Sequence, residues 1–208
     1  MGARRAPIRA AGGGCMLEDE YDPSGTQRAK DRFVVLTGCS GSGKSSLLSA
    51  LARRGYAVVQ EPGRQVIREQ NYIGGDATPE MNAVKFLEFT ISRTIHQMIS
   101  ASSTTSFVFF DRSIVDQIGG FELLGMETPR HLLKAAELFR YHRRVFVTPP
   151  WPGIFRNDAE RTHGFDAAVA MYEPQMKTYE RLGYELVSVP QTGIEERADF
   201  VLASLPPV

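Results

Sequence analysis

Residues 38–45, Gly38-Cys39-Ser40-Gly41-Ser42-Gly43-Lys44-Ser45, match the pattern G-x-x-x-x-G-K-[ST] at every fixed position. The residue types answer a chemical need. Glycines let the backbone curl so that successive N–H groups converge on phosphate oxygens. A helix beginning at Lys44 adds the positive end of its dipole. The lysine ammonium then reaches the outer phosphates of a nucleotide, and the Ser45 hydroxyl is a ligand for Mg²⁺. The flanks fit this reading. Phe33-Val34-Val35-Leu36-Thr37 is a β-branched and aromatic run that predicts a buried strand, and Lys44 to Arg54 reads as a helix closed by Gly55. Phosphate contacts are expected from Gly38, Ser40, Gly41, Ser42, Gly43, Lys44, Ser45 and Ser46.

Outward from this loop the pattern alternates between strand and helix. Further strands are expected at 56–60, 106–110, 143–148 and 184–189, with helices from Pro79 and over 114–124, 130–141, 165–182 and 194–205. The helix from Pro79 carries Val84, Leu87, Ile91, Ile95 and Met98 at spacings of three and four. Strands separated by helices imply right-handed crossovers and a parallel sheet. The expected fold class is therefore α/β, a three-layer P-loop NTPase fold with a five-stranded parallel sheet, helices on both faces and a lid segment. In such sheets ligands bind beyond the carboxyl ends of the strands. That rule points to residues 38–45, 60–64, 111–112 and the Pro-rich stretch 149–163, read as a lid. Residues 1–31 carry no apolar period and read as a flexible tail in which Met16 is a second candidate start, which leaves 32–208 as one domain.

Composition narrows the function classes. Lysine plus arginine and aspartate plus glutamate both count 24 in 208 residues, so the net charge is zero and no global basic field recommends a nucleic-acid partner. Two cysteines make no disulfide framework, and the four histidines are scattered without zinc spacing. No apolar run is long enough to span a bilayer, so a cytoplasmic protein without a membrane span is expected.

Two further segments carry chemistry. Gln60-Glu61-Pro62-Gly63-Arg64 closes the second strand and puts Glu61 at the sheet's carboxyl edge, where a carboxylate can take a proton from an acceptor hydroxyl. Asp111-Arg112-Ser113 closes the third strand after Phe107-Val108-Phe109-Phe110; an acid at that place supports Mg²⁺ through its water, and Arg112 suits a phosphate or acceptor oxygen. In the lid stretch, Arg156 and Arg161 are candidates to neutralise charge on transferred oxygens. A GTPase would need a base-reading Asn-Lys-x-Asp segment, which is absent. Asp116-Gln117-Ile118-Gly119 matches D-x-x-G but falls inside an expected helix, so the match reads as coincidence.

These segments carry a resemblance. Glu61-Pro62 and Asp111-Arg112-Ser113 behind this loop resemble deoxynucleoside and thymidylate kinases. The closer likeness is to the AAA-like ATPase/kinase family that includes the nicotinamide riboside kinase domain of bacterial NadR. It rests on Glu61 with Gly63-Arg64, on Gly74-Gly75-Asp76, on Trp151 with Arg156, and on the helix 165–182 followed by Gly183-Tyr184-Glu185-Leu186. It spans about 33–205 and matches the kinase-like part, not the adenylyltransferase domain that some relatives carry. The resemblance implies an ATP-dependent small-molecule kinase with Mg²⁺ at Ser45 and Asp111. The acceptor would be a nucleoside-like hydroxyl compound, and the catalytic set Lys44, Glu61, Asp111, Arg112, Arg156 and Arg161. The alternative is a nucleotide-dependent regulatory ATPase with no small-molecule acceptor.

Overall fold

The computed structural model describes residues 21–155 and 164–207. Its centre is strand β1 (Phe33–Gly38), every residue of which is buried. The strand's alternation explains that burial. Phe33 and Val35 point to one face of the sheet and Val34 and Leu36 to the other, so two apolar cores share one backbone. β3 (Val108–Asp111) and β4 (Arg144–Thr148) repeat the device, with Val108, Phe110, Val145 and Val147 on the first face and Phe109 and Phe146 on the second.

The sheet has five strands in the order β2-β3-β1-β4-β5, where β2 is Ala57–Val59 and β5 is Glu185–Ser188. All four pairings are parallel. The two edge strands are the most exposed, as expected where only one neighbour covers the backbone. One face is covered by α2 (Lys44–Arg53) and α8 (Ile194–Ala203), which bring Leu47, Leu51 and Val201 onto Phe109 and Phe146. The other is covered by α4 (Ala83–Ala101), α5 (Ile114–Leu123) and α7 (Phe165–Arg181), through Met98, Ile118 and Tyr179. This is the three-layer α/β arrangement read from the sequence.

The chain leaves β1 for β2 on one side and later returns to β4 on the other. The order therefore reverses at β1, and a crevice opens beyond the carboxyl ends of β1 and β3. Register places the functional groups around it: Leu36 pairs with Asp111 and Gly38 with Thr148.

Four points differ from the expectation. Residues 1–31 were read as a tail, yet Gly25–Ala29 forms a short helix, α1, whose Ala29 is fully buried against the β1 side of the core. Residues 1–20 lie outside the described residues. The long helix also starts later than Pro79, at Ala83, because the Asn82 side chain accepts from the Lys85 N–H at 3.1 Å and caps it. A whole element, α3 (Pro62–Ile73), occupies the segment read as a strand exit. Its surface is polar, with Arg64, Gln65, Arg68 and Glu69 between the few buried positions, so no apolar stripe announces it. Pro62 at its first turn and left-handed Gly74 at its end are the signals that do. α6 (Arg130–Leu138) links α5 to β4 and is shorter than expected.

Gly38 shows how tightly the loop is set into the sheet. Its φ is +121°, and a Cβ there would stand 2.3 Å from the Thr148 carbonyl oxygen. Gly55 also has a positive φ, +91°, but nothing lies within 4 Å of an added Cβ. Gly38→Ala is therefore expected to cost about 3 kcal/mol or more, and Gly55→Ala only about 1 kcal/mol of backbone strain. Urea unfolding of the two variants measures the contrast.

Candidate active site

The loop after β1 curls over the carboxyl end of the sheet and runs into α2. Its N–H groups follow from its first bonds: Cys39 donates its N–H to Thr148 O at 2.9 Å, which fixes where the turn begins. Ser42 is buried, and its hydroxyl lies 2.5 Å from both Cys39 O and the Thr148 hydroxyl. The Ser42 hydroxyl therefore braces the loop from within. Lys44 is also buried, and its ammonium donates to Cys39 O at 2.9 Å and Gly38 O at 3.3 Å.

A cavity of about 350 Å³ opens in front of the loop. Ser40, Gly41, Gly43, Lys44, Ser45 and Ser46 form one wall, and Glu61, Arg64, Asp111 and Arg112 form the opposite side. The sequence thus named residues far apart in the chain that the fold brings to one cavity. Gly38 and Ser42, also expected to contact phosphate, do not line it: Gly38 packs on Thr148, and the Ser42 hydroxyl turns inward to Cys39 O and Thr148. Arg156 and Arg161 fall outside the described residues.

Arg112 is the organising cation. It follows β3 in the left-handed conformation, φ 67°, while its N–H donates to Leu36 O at 3.0 Å. That turn carries the guanidinium back over the end of the sheet. Its Nη1 donates to Asp116 Oδ1 at 3.1 Å and to Gln175 Oε1 at 3.4 Å. Its Nε stands 3.2 Å from Glu61 Oε1, an ion pair without hydrogen-bond alignment. Burial works against the charge, but the Glu61, Asp116 and Asp111 carboxylates outweigh it and hold Arg112 protonated beyond the ordinary arginine range.

Asp116, whose D-x-x-G match reads as coincidence in the sequence, is the anchor of this arrangement. It is buried on α5 and accepts from Thr37 Oγ1 and Gln175 Nε2, each at 2.6 Å, and from the Ser113 N–H at 2.8 Å. The Tyr179 hydroxyl donates to its second oxygen. Together with Ser113 it forms a capping box at the start of α5. The spacing Ser113-x-x-Asp116 before an apolar run was the available signal.

Asp111 has a different environment. Its Oδ1 is buried and meets no hydrogen-bond donor among the described residues. Burial first, then the nearby Glu61 charge, raise its pKa from 3.8 to about 6 against the pull of Lys44 and Arg112. A buried carboxylate oxygen without a partner among the described residues, in one cavity with a serine hydroxyl, suits a hard divalent cation that keeps most of its water. Ser45 and Asp111 both line the cavity, so the residues present fit Mg²⁺. Among the described residues no cluster of three or more histidine, cysteine or acidic side chains offers a cage for any other metal. Lys44 is pushed down to about 8, by burial first and then by Arg112.

A second cavity of about 320 Å³ adjoins the first between α4, α5 and α7. Pro79, Phe86, Leu87, Leu123 and Met171 make it apolar, and Glu61, Arg112 and Gln117 supply its polar end.

A strand-loop-helix phosphate cradle with a carboxylate on the next strand defines a P-loop nucleotide-binding domain. The chain belongs to the AAA domain family, whose sequence model matches residues 33–197. Solved structures with the same fold include a thymidylate kinase from Ehrlichia chaffeensis, at 18% identity and a TM-score of 0.52, covering 83% of this chain and 97% of that one. A NadR protein in complex with NR aligns at 17% identity and a TM-score of 0.62, covering 85% of this chain. This chain spans half the length of that NadR protein. No curated protein matches the sequence. At these identities the likeness is one of fold, a kinase-like P-loop fold. No helix among the described residues is long and apolar enough to cross a membrane.

Two predictions follow from the charges. Asp116→Ala leaves Arg112 without its hydrogen-bonded carboxylate and several donors without an acceptor, so a loss of about 3 kcal/mol in urea unfolding is expected. The pH profile has two limbs. Lys44 loses its proton as pH rises through about 8, so affinity for a polyphosphate falls on the alkaline side. Asp111 gains a proton as pH falls through about 6, so the gain in nucleotide affinity from added Mg²⁺ shrinks on the acid side. Calorimetric titration of ATP with and without Mg²⁺ across that range reads both limbs.

Proposed function

We propose that the protein is an ATP-dependent phosphotransferase that phosphorylates a hydroxyl of a small, nucleoside-like acceptor. One observation carries the reading: Glu61 and Arg112 line both the phosphate cavity and the adjoining apolar cavity. A group held in the apolar cavity therefore meets the end of a polyphosphate at these two side chains. Apolar walls with one polar end suit a flat heterocycle attached to a hydroxyl-bearing sugar.

In this reading the loop N–H groups and Lys44 bind the β- and γ-phosphates. Ser45 and Asp111 would hold Mg²⁺, which would neutralise charge on the phosphate oxygens. Lys44 exchanges its bonds with Gly38 O and Cys39 O for phosphate oxygens. Glu61 accepts the proton of the attacking hydroxyl, and Arg112 orients the acceptor or the transferred group. Arg156 and Arg161 are assigned to the same charge neutralisation from the lid. Transfer moves the γ-phosphoryl group from ATP to the acceptor oxygen, leaving ADP and a phosphate monoester, with the proton on Glu61. The thymidylate kinase and NadR folds support a kinase reading, and the acceptor itself rests on the cavity alone.

The test is a screen with γ-labelled ATP against nucleosides, nicotinamide riboside and water. Label on an organic acceptor supports the proposal. Label in inorganic phosphate only, over a broad panel, favours a regulatory ATPase. With the acceptor in hand, Glu61→Gln is expected to lower kcat about 10²–10³-fold. Turnover equal to wild type in that variant removes Glu61 from the base role.

A further inference from the structure

Arg197 drew no attention in the sequence, because an arginine on a C-terminal helix normally faces solvent. Here it is 3% exposed and enters the phosphate loop from α8. Its Nη2 donates to Ser42 O at 3.1 Å. Its Nη1 stands 2.8 Å from the point that a Cβ on Gly43 would occupy, so the glycine is what admits it. Its guanidinium carbon lies 5.7 Å from the centroid of the Trp151 ring, and its Nε is buried with no hydrogen-bond partner among the described residues.

The contrast with Arg112 is informative. Arg112 sits between Glu61 and Asp116 and is neutralised by them. Arg197 has no carboxylate partner among the described residues; burial alone acts on it, and lowers its pKa from the ordinary arginine value. A buried guanidinium held by a backbone carbonyl and an aromatic face costs free energy and keeps its field unscreened. That field acts on whatever the neighbouring loop holds.

We propose that Arg197 is a positioning residue of the phosphate site, which fixes the Ser42–Gly43 peptide of the loop and lends it a buried positive charge for the polyphosphate of a bound nucleotide. The proposal rests on the reading of the loop as a polyphosphate site and not on the identity of any acceptor. Trp151 packs on the same guanidinium and is the chain's single tryptophan. Its fluorescence therefore offers a direct signal of events at this contact.

The experiment uses the full chain and two probes, inorganic tripolyphosphate and ATP, titrated by calorimetry and by Trp151 emission well below the melting temperature of each variant. Arg197→Gln keeps a donor for Ser42 O and removes the charge. Arg197→Lys keeps the charge and loses the planar fork. Arg197→Gln is expected to weaken tripolyphosphate and ATP by the same factor, fivefold or more, and Arg197→Lys by less than fivefold. A purely structural role would lower the melting temperature without changing affinity in the folded protein. Arg197→Gln binding within fivefold of wild type overturns the proposal, as does Arg197→Lys binding as weakly as Arg197→Gln. Should Arg197→Gln fail to fold, Arg197→Lys alone decides, and a loss of fivefold or more overturns it. Wild-type protein that binds neither probe removes the polyphosphate site itself, a result distinct from equal binding by wild type and variant.

Discussion

The buried pair between Arg112 and Asp116 is the contact on which the rest of the site depends. Asp116 belongs to α5, Arg112 to the exit of β3, Thr37 to β1, and Gln175 and Tyr179 to α7, and all of them meet at one carboxylate. A buried ion pair of this kind is weak evidence for stability, because taking both charges out of water offsets most of their attraction. Its effect here is geometric. Removing Arg112 leaves the Asp116 carboxylate buried without a cationic partner, and removing Asp116 takes away the carboxylate that Arg112 hydrogen-bonds, so the two elements cannot drift apart cheaply. The left-handed turn at Arg112 is sustained by this network, and it delivers the guanidinium to the junction of the two cavities.

Charge arithmetic takes on meaning only at this scale. The chain is neutral as a whole, yet Lys44, Arg64 and Arg112 border one cavity and Arg197 lies behind its loop. Against them stand Glu61, Asp111 and Asp116, each in a separate setting. Asp116 is saturated with donors, Glu61 is paired with Arg112, and Asp111 keeps an unpartnered oxygen. Similar side chains thus become an anchor, a candidate proton acceptor and a candidate cation ligand through environment alone.

Much of this was legible in the chain. The loop motif is a local pattern, and the strand-helix alternation around it fixes the sheet because buried parallel strands must read as apolar runs. Glu61, Asp111 and Arg112 were found because each ends a strand, and the carboxyl edge is where such sheets bind ligands. What escaped was long-range or masked by polarity. α3 carries too little apolar surface for periodicity to reveal it. Asp116 reads as a coincidental motif because three of its five partners, Thr37 on β1 and Gln175 and Tyr179 on α7, are distant in the chain. Arg197 had no local signature, since its contact with Ser42 exists only once α8 has packed beside α2 on the sheet.

A crystal structure of the full chain with a non-hydrolysable ATP analogue and Mg²⁺ tests the central claim most directly. Polyphosphate is expected within the loop cavity, with Lys44 Nζ moved from Gly38 O and Cys39 O to phosphate oxygens and the terminal phosphate facing Arg112 and Glu61. A nucleotide bound elsewhere, or Lys44 still bonded to its own loop with the analogue present, would contradict it.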